Sequence, residues 1–137
     1  MGENMFKRID HIGVVVDDLA AARAFLESLG MRLERAQDVP ERNVKIAFYF
    51  CGDGRIELIE PTTEEARQRR LGEGNQARIE HIGVEVDNVP DIMKAVQGLG
   101  VELTTSAPVP VGPNLNAWTD PHTSNGIQFQ LVQRDAV

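Results

Sequence analysis

The chain has 137 residues, a length suited to one domain with a real core. Its formal charge of -7 argues against nucleic acid, which needs a basic face, but a local basic pocket would still admit an anionic small molecule. Hydrophobic residues at 42% and charged residues at 26% are ordinary for a soluble globular protein, and the single cysteine, Cys51, excludes an internal disulfide or a thiolate zinc cluster.

Met1–Lys7 shows no charged-then-apolar leader, and no apolar run approaches the roughly 18 residues of a membrane span. A cytoplasmic location with no membrane partner is therefore expected. Asp10-His11-Ile12-Gly13-Val14-Val15-Val16 reads as a strand with Ile12, Val14 and Val16 on one face and His11, Gly13 and Val15 on the other, because side chains alternate. Leu19, Ala22, Phe25, Leu26 and Leu29 follow with helical spacing, behind Asp17 or Asp18 as the cap and ahead of Gly30, whose freedom suits a helix end. Val44–Phe50 and Arg55–Ile59 are β-prone and flank Asp53-Gly54, a hairpin signal. Pro61 closes this part, and a charged linker follows in which Glu64–Leu71 is expected to be helical.

The chain then repeats itself. Glu80-His81-Ile82-Gly83-Val84-Glu85-Val86-Asp87-Asn88 matches the first strand 70 residues on, and Leu99-Gly100 lies 70 residues after Leu29-Gly30. Val89, Ile92, Met93, Val96 and Leu99 carry the helical period, with Asn88 as cap and Pro90 in the first turn. Val101–Thr105, Asn116–Trp118 and Ile127–Val132 are the expected strands of this half, and Ala107–Pro113, with three prolines and a glycine, is expected to be a loop. The whole predicts an α+β chain of two fused βαβββ units: module one at about 7–61, a linker at about 62–76 and module two at about 77–133, forming one domain.

A polar residue in the middle of an apolar strand is costly without a partner. His11 and His81 open the two units, Glu57 sits in the last strand of the first and Gln130 in the last strand of the second. A lone strand histidine is usually a hydrogen-bonded core or surface group, but recurrence at one place in a repeat weakens that explanation. Two imidazoles, a carboxylate and an amide oxygen suit one divalent ion such as Co, Ni, Zn, Mn or Fe. Gln128 shares the parity of Gln130 and competes with it for the ligand role, while Glu60, of opposite parity to Glu57, is expected at the surface.

With these residues in place the chain resembles the vicinal oxygen chelate superfamily of glyoxalases, bleomycin-resistance proteins, extradiol dioxygenases and methylmalonyl-CoA epimerases. The epimerase branch is the nearest in pattern. Asp10–Gly13, Val39-Pro40-Glu41, Ile56–Pro61, Glu80–Asp87 and Gly126–Gln133 carry the resemblance in order, over roughly 7–133. It implies a curved mixed sheet around a metal site, with the four metal positions falling on His11, Glu57, His81 and Gln130. It also implies a small-molecule substrate, acyl-CoA among the candidates, that chelates the metal through neighbouring oxygens, and a homodimer. The function it implies is an epimerase or isomerase that stabilises an enolate of an acyl thioester or 2-oxo compound. A glyoxalase-type lyase, an Fe(II)-dependent dioxygenase and a non-catalytic binding protein are the alternatives. Two departures stand out. The fourth metal position, usually glutamate, is Gln130, and an amide cannot serve as a general base. The loop that usually reads Gly-Ala-His-Gly-Lys is Val111–Asn116 here, and the following His-Pro-Lys is Asp120-Pro121-His122. Glu41 and His122 are then the candidate catalytic acid–base groups.

Overall fold

The computed structural model describes residues 4–137, so the reading of Met1–Lys7 as leaderless lies partly outside it. The elements are β1 (Arg8–Val16), α1 (Leu19–Ser28), β2 (Leu33–Val39), a 3-10 turn (Pro40–Arg42), β3 (Val44–Cys51), β4 (Gly54–Pro61), α2 (Glu64–Arg70), β5 (Ala77–Glu85), α3 (Val89–Gln97), β6 (Val109–Val111), β7 (Asn114–Trp118) and β8 (Phe129–Gln133). The βαβββ order appears twice, with α2 between the copies. Contacts divide the described chain into two compact units: His11–Glu80, and the residues up to Asp10 together with His81–Val137.

In the His11–Glu80 unit the strand order is β2-β3-β4-β1, with β1 parallel to β4 and the other neighbours antiparallel. Helix α1 covers one face, where Val16, Leu19, Ala47, Tyr49 and Leu58 are buried with Val14, Ala22 and Leu26 against them. Burial at this scale, about 25 cal/mol per Å² of apolar surface, is what holds a short helix on a sheet. Asp18 caps it, its carboxylate accepting from Ala21 N–H at 3.1 Å, and Gly30 ends it at φ 87°. Glu60 corrects the surface expectation: its Oε1 accepts the Leu19 N–H at 2.7 Å, satisfying one of the orphan donors of the helix start. Phe25 and Leu29, expected on the buried stripe, are 61% and 62% exposed. They lie to one side of the Leu19–Ala22–Leu26 line, and only that line meets the sheet.

Strand β2 carries almost no apolar signal, being exposed from Arg35 to Asp38, and its backbone ladder runs to β3. Its register shifts between Leu33 and Arg35: Leu33 lies opposite Tyr49, and Arg35, not Glu34, lies opposite Phe48. The face away from α1 carries a second buried cluster of Val15, Val39, Val44, Ile59 and Leu71.

In the second unit the order is β5-β8-β7-β6, with β5 parallel to β8. Helix α3 is capped by Asn88, whose Oδ1 accepts from Asp91 N–H at 2.9 Å, and has Pro90 in its first turn. Val84, Val86, Val89, Met93, Ala117 and Leu131 form its core. The incoming chain joins this core, since the Phe6 ring packs on Phe129 at 5.1 Å and Lys7 N–H donates to Glu85 O at 2.8 Å. Two expectations fail here. Val101–Thr105 is no strand, making only a bridge at Leu103 to Thr119, and the strand forms instead as Val109–Val111 inside the segment read as a loop. Pro110 is tolerated because β6 is the outer strand of its sheet, where a missing N–H breaks no ladder on the open side. Leu99, like Leu29, is exposed, at 72%.

Candidate metal centre

In the His11–Glu80 unit, register alone places the two expected ligands side by side. His11 lies opposite Arg55 and Gly13 opposite Glu57 on the parallel pair β1 and β4, so His11 and Glu57 share one face, two residues out of step. Their side chains meet, His11 Nε2 standing 3.5 Å from Glu57 Oε1, and both are buried. The His11 ring also meets the Phe48 ring edge-on at 5.8 Å. Phe48 is the cross-strand neighbour of Glu57, so imidazole, carboxylate and aromatic ring form one contiguous group.

The second unit repeats this register. Gly83 lies opposite Gln130 on the parallel pair β5 and β8, which puts His81 level with Gln128 and on the same face as Gln130. In register, Gln130 faces its glycine as Glu57 faces Gly13, whereas Gln128 takes the place that Arg55 holds in the first unit. The amide of Gln130 is oriented by Asn116, since Nε2 donates to Asn116 Oδ1 at 2.9 Å. Asn116 is itself 3% exposed. Of the two amide atoms of Gln130, only the carbonyl oxygen has the chemistry of a cation ligand. Sequence reading did not single out Asn116; its position on β7 opposite Val132 was visible only once β7 and β8 had a register.

Each histidine is preceded by an acid, and each acid is gripped by an arginine. Arg134 Nε and Nη2 donate to the two oxygens of Asp10 at 2.6 and 3.0 Å, within the second unit. Arg70, at the end of α2, donates from Nε and Nη2 to the two oxygens of Glu80 at 2.9 and 2.8 Å, within the first. Asp10 and Glu80 are 70 residues apart, the repeat interval, and their side chains are 3% and 8% exposed. Bidentate pairs of this kind are strong and geometrically specific. The hydrogen bonds from Arg70 to Glu80 push the guanidinium above its ordinary pKa; burial opposes this, and the charges of Glu80 and Glu57 add to it. Sequence reading missed both arginines, which lie far along the chain from the acids they hold or in what it took for a linker.

By residue type, the expected ligands suit a divalent ion. His11, Glu57 and His81 are all buried, and each offers one ligand atom of the borderline N/O kind. The two acid–base candidates are different in character. Glu41 is exposed in the 3-10 turn after β2, and His122 is exposed in the turn before β8, its backbone N–H donating to Asp120 Oδ1 at 3.0 Å. Neither is brought into contact with an expected metal ligand of its own unit.

Comparison with known proteins identifies the family and the fold. A profile of the Glyoxalase/Bleomycin resistance protein/Dioxygenase superfamily matches residues 10–117, and the chain belongs to that superfamily. It is 30% identical over 129 residues to the uncharacterized protein YqjC of Bacillus subtilis, covering 92% of this chain and 91% of that one. It is 28% identical over 133 residues to an ethylmalonyl-CoA/methylmalonyl-CoA epimerase of Cereibacter sphaeroides, covering 94% of this chain and 99% of the relative. Among solved structures, a Streptomyces coelicolor methylmalonyl-CoA epimerase in complex with 2-nitronate-propionyl-CoA superposes with a TM-score of 0.81 at 23% identity, over 94% of this chain and 98% of that one. The glyoxalase-like fold is thereby established, and the homologous enzymes include epimerases.

Proposed function

We propose that this protein is a metal-dependent epimerase or isomerase acting on an acyl thioester, acyl-CoA among the candidates, or on a 2-oxo compound. The carrying observation is the repeated register: a buried histidine on a strand, and a carboxylate or amide opposite the glycine two residues later, in both units. Kinship with the Cereibacter epimerase supports the reaction class. In this reading His11, Glu57, His81 and the carbonyl oxygen of Gln130 hold one divalent ion drawn from Co, Ni, Zn, Mn or Fe. When bound, that ion supplies Lewis-acid polarisation of neighbouring substrate oxygens.

The chain's own residues do the rest. His11 and His81 ligate as neutral imidazoles, and the Glu57 carboxylate lowers the charge they face. The Phe48 ring beside His11 shields one flank of the site from water, which strengthens each electrostatic contact made there. Gln130 orients without moving a proton, because an amide is no base near neutrality. The α-proton is therefore assigned to Glu41 or His122, both exposed to solvent. We place the protein in the cytoplasm, in keeping with its lone cysteine, and as a homodimer, in keeping with the exposed Phe25 and Leu29 of α1. No described helix is long and apolar enough to cross a membrane. Light scattering at micromolar concentration checks the dimer; a monomeric mass contradicts it.

Deuterium exchange tests the chemistry. Cobalt-reconstituted protein should catalyse exchange of the α-proton of methylmalonyl-CoA or a 2-oxo acid into D₂O, and His11→Ala should abolish it. Glu41→Gln and His122→Asn, made separately, should identify the proton-transfer group by which of them stops exchange with the metal still bound. No exchange from any such substrate, combined with O₂ consumption with Fe(II) and a catechol, would replace this reading with a dioxygenase.

A further inference from the structure

The face of the first unit that carries His11 and Glu57 also carries arginines for which the metal chemistry has no use. Arg35 lies opposite Phe48, which lies opposite Glu57, so the three share that face across β2, β3 and β4. The Arg35 guanidinium lies over the Phe48 ring, its Cζ 4.5 Å from the centroid, and the same ring meets His11 edge-on. Two residues further along β3 and on the same face, Phe50 has Arg32 at 4.8 Å and Arg55 at 5.6 Å from its centroid. Arg55 is matched by Glu34, its Nε donating to Oε1 at 2.8 Å. Arg35 instead donates to the neutral Gln37 Oε1, at 2.5 Å.

The register shift in β2 is what puts Arg35 there. Leu33 pairs with Tyr49 on the α1 side, so an unbroken ladder would set Glu34 opposite Phe48. The extra residue instead gives that position to Arg35 and lets Glu34 turn to Arg55. Bulges beside functional sites commonly re-aim one side chain, and this one exchanges an anion for a cation next to the His11–Glu57 pair. A guanidinium held over an aromatic ring is fixed in place and still carries several N–H donors, the chemistry that suits carboxylate or phosphate. The chain as a whole carries -7, so a cation maintained here is local in purpose.

We propose that Arg35, with Arg32 beside it, is an anion-recognition subsite that binds a second anionic group of the substrate, a carboxylate or a phosphate, remote from the metal-chelating oxygens. Two strand spacings separate Arg35 from Glu57, roughly 10 Å across the sheet, so the second anion belongs at the end of a short spacer. The inference rests on the metal-site reading for the location of the substrate's reacting end, and it narrows the substrate to a molecule with anionic groups at both the chelating and the distal position.

The test uses probe pairs with and without the distal anion, with binding to cobalt-loaded protein followed by calorimetry. Wild type should bind 2-oxoadipate about tenfold or more tighter than 2-oxohexanoate, the gain expected of a charge-assisted hydrogen bond. Arg35→Gln should bring the two affinities within about twofold without changing cobalt or 2-oxohexanoate binding, and Arg35→Lys should retain part of the preference. Acetyl-CoA against S-acetylpantetheine is the phosphate arm: an Arg35-dependent preference in that pair alone assigns the subsite to phosphate. A wild type that prefers neither charged probe, or a preference that survives Arg35→Gln, overturns the proposal. Failure of the metal reading looks different: cobalt does not bind, and the Arg35-dependent preference is then read on metal-free protein with the same probes.

Discussion

Replacing Arg70 by Met removes both donors that grip Glu80 while keeping most of the aliphatic stem. The pair is largely enclosed, with side-chain exposures of 24% for Arg70 and 8% for Glu80, and its two hydrogen bonds measure 2.9 and 2.8 Å. Taking one partner from such a pair costs about 3–5 kcal/mol, because the remaining charge stays in a poorly solvated place. The partial exposure of Arg70 puts the expected loss at the lower end, about 3 kcal/mol. At roughly 4 °C per kcal/mol for a chain of this size, the midpoint of thermal unfolding should fall by about 12 °C. Desolvation of the orphaned carboxylate has a second, sharper consequence. Arg70→Met combined with Glu80→Leu removes the buried charge along with its partner, and should recover all but about 1 kcal/mol of the loss. Urea unfolding followed by circular dichroism reads all three proteins, with a constant slope required for the comparison. A single variant that loses less than about 1 kcal/mol, or a double variant no better than the single, would refute the view that this clamp is what makes burial of the acid before His81 tolerable.

Tyr49, the chain's only tyrosine, gives a pH prediction. Burial pushes its phenol above the ordinary value, its hydrogen bond to Glu27 Oε2 at 2.5 Å adds to this, and Arg23 opposes it. A folded pKa raised above the unfolded one means that this stability is fully present below about pH 10 and is lost as pH rises through the folded pKa. Tyrosinate absorbance should therefore rise together with loss of tertiary signal, and phenolate appearing at its ordinary pKa in still-folded protein would contradict the buried network. Gln130→Glu adds charge to the expected metal shell and restores a base at the family's usual position. A rise in α-proton exchange would show the new base acting, a fall would show weakened Lewis acidity, and no change at all would remove Gln130 from the site.

The fold was legible because it is written twice. His11-Ile12-Gly13-Val14 and His81-Ile82-Gly83-Val84 open equivalent strands, and each is followed by a capped helix and a left-handed glycine, Gly30 or Gly100. What sequence could not convey was pairing without pattern. Strand β2 is polar along most of its length and exists through its ladder to β3, so periodicity had nothing to detect. Val101–Thr105 has β-prone composition but forms only one bridge, while Val109–Val111 pairs with β7 despite Pro110. Composition reports what a residue tolerates, and the register of the neighbouring strand decides the outcome. The same holds in the site. His11, Glu57, His81 and Gln130 could be picked out as polar residues in apolar strands, whereas Asn116, Arg70 and Arg134 act through partners 14, 10 and 124 residues away. Arg35 was hidden more thoroughly, since its face depends on a bulge that no local signal announces.

The central claim is that both repeats contribute ligands to one metal ion, and cobalt titration of the metal-free protein tests it most directly. Calorimetry alongside the visible absorption of bound cobalt should show one ion per chain in wild type. His11→Ala and His81→Ala, each removing an imidazole from a different repeat, should each weaken binding by at least about a hundredfold and change the absorption spectrum, with the folded circular dichroism kept. Absence of stoichiometric cobalt in wild type, or undiminished affinity and an unchanged spectrum in His81→Ala, would contradict the account.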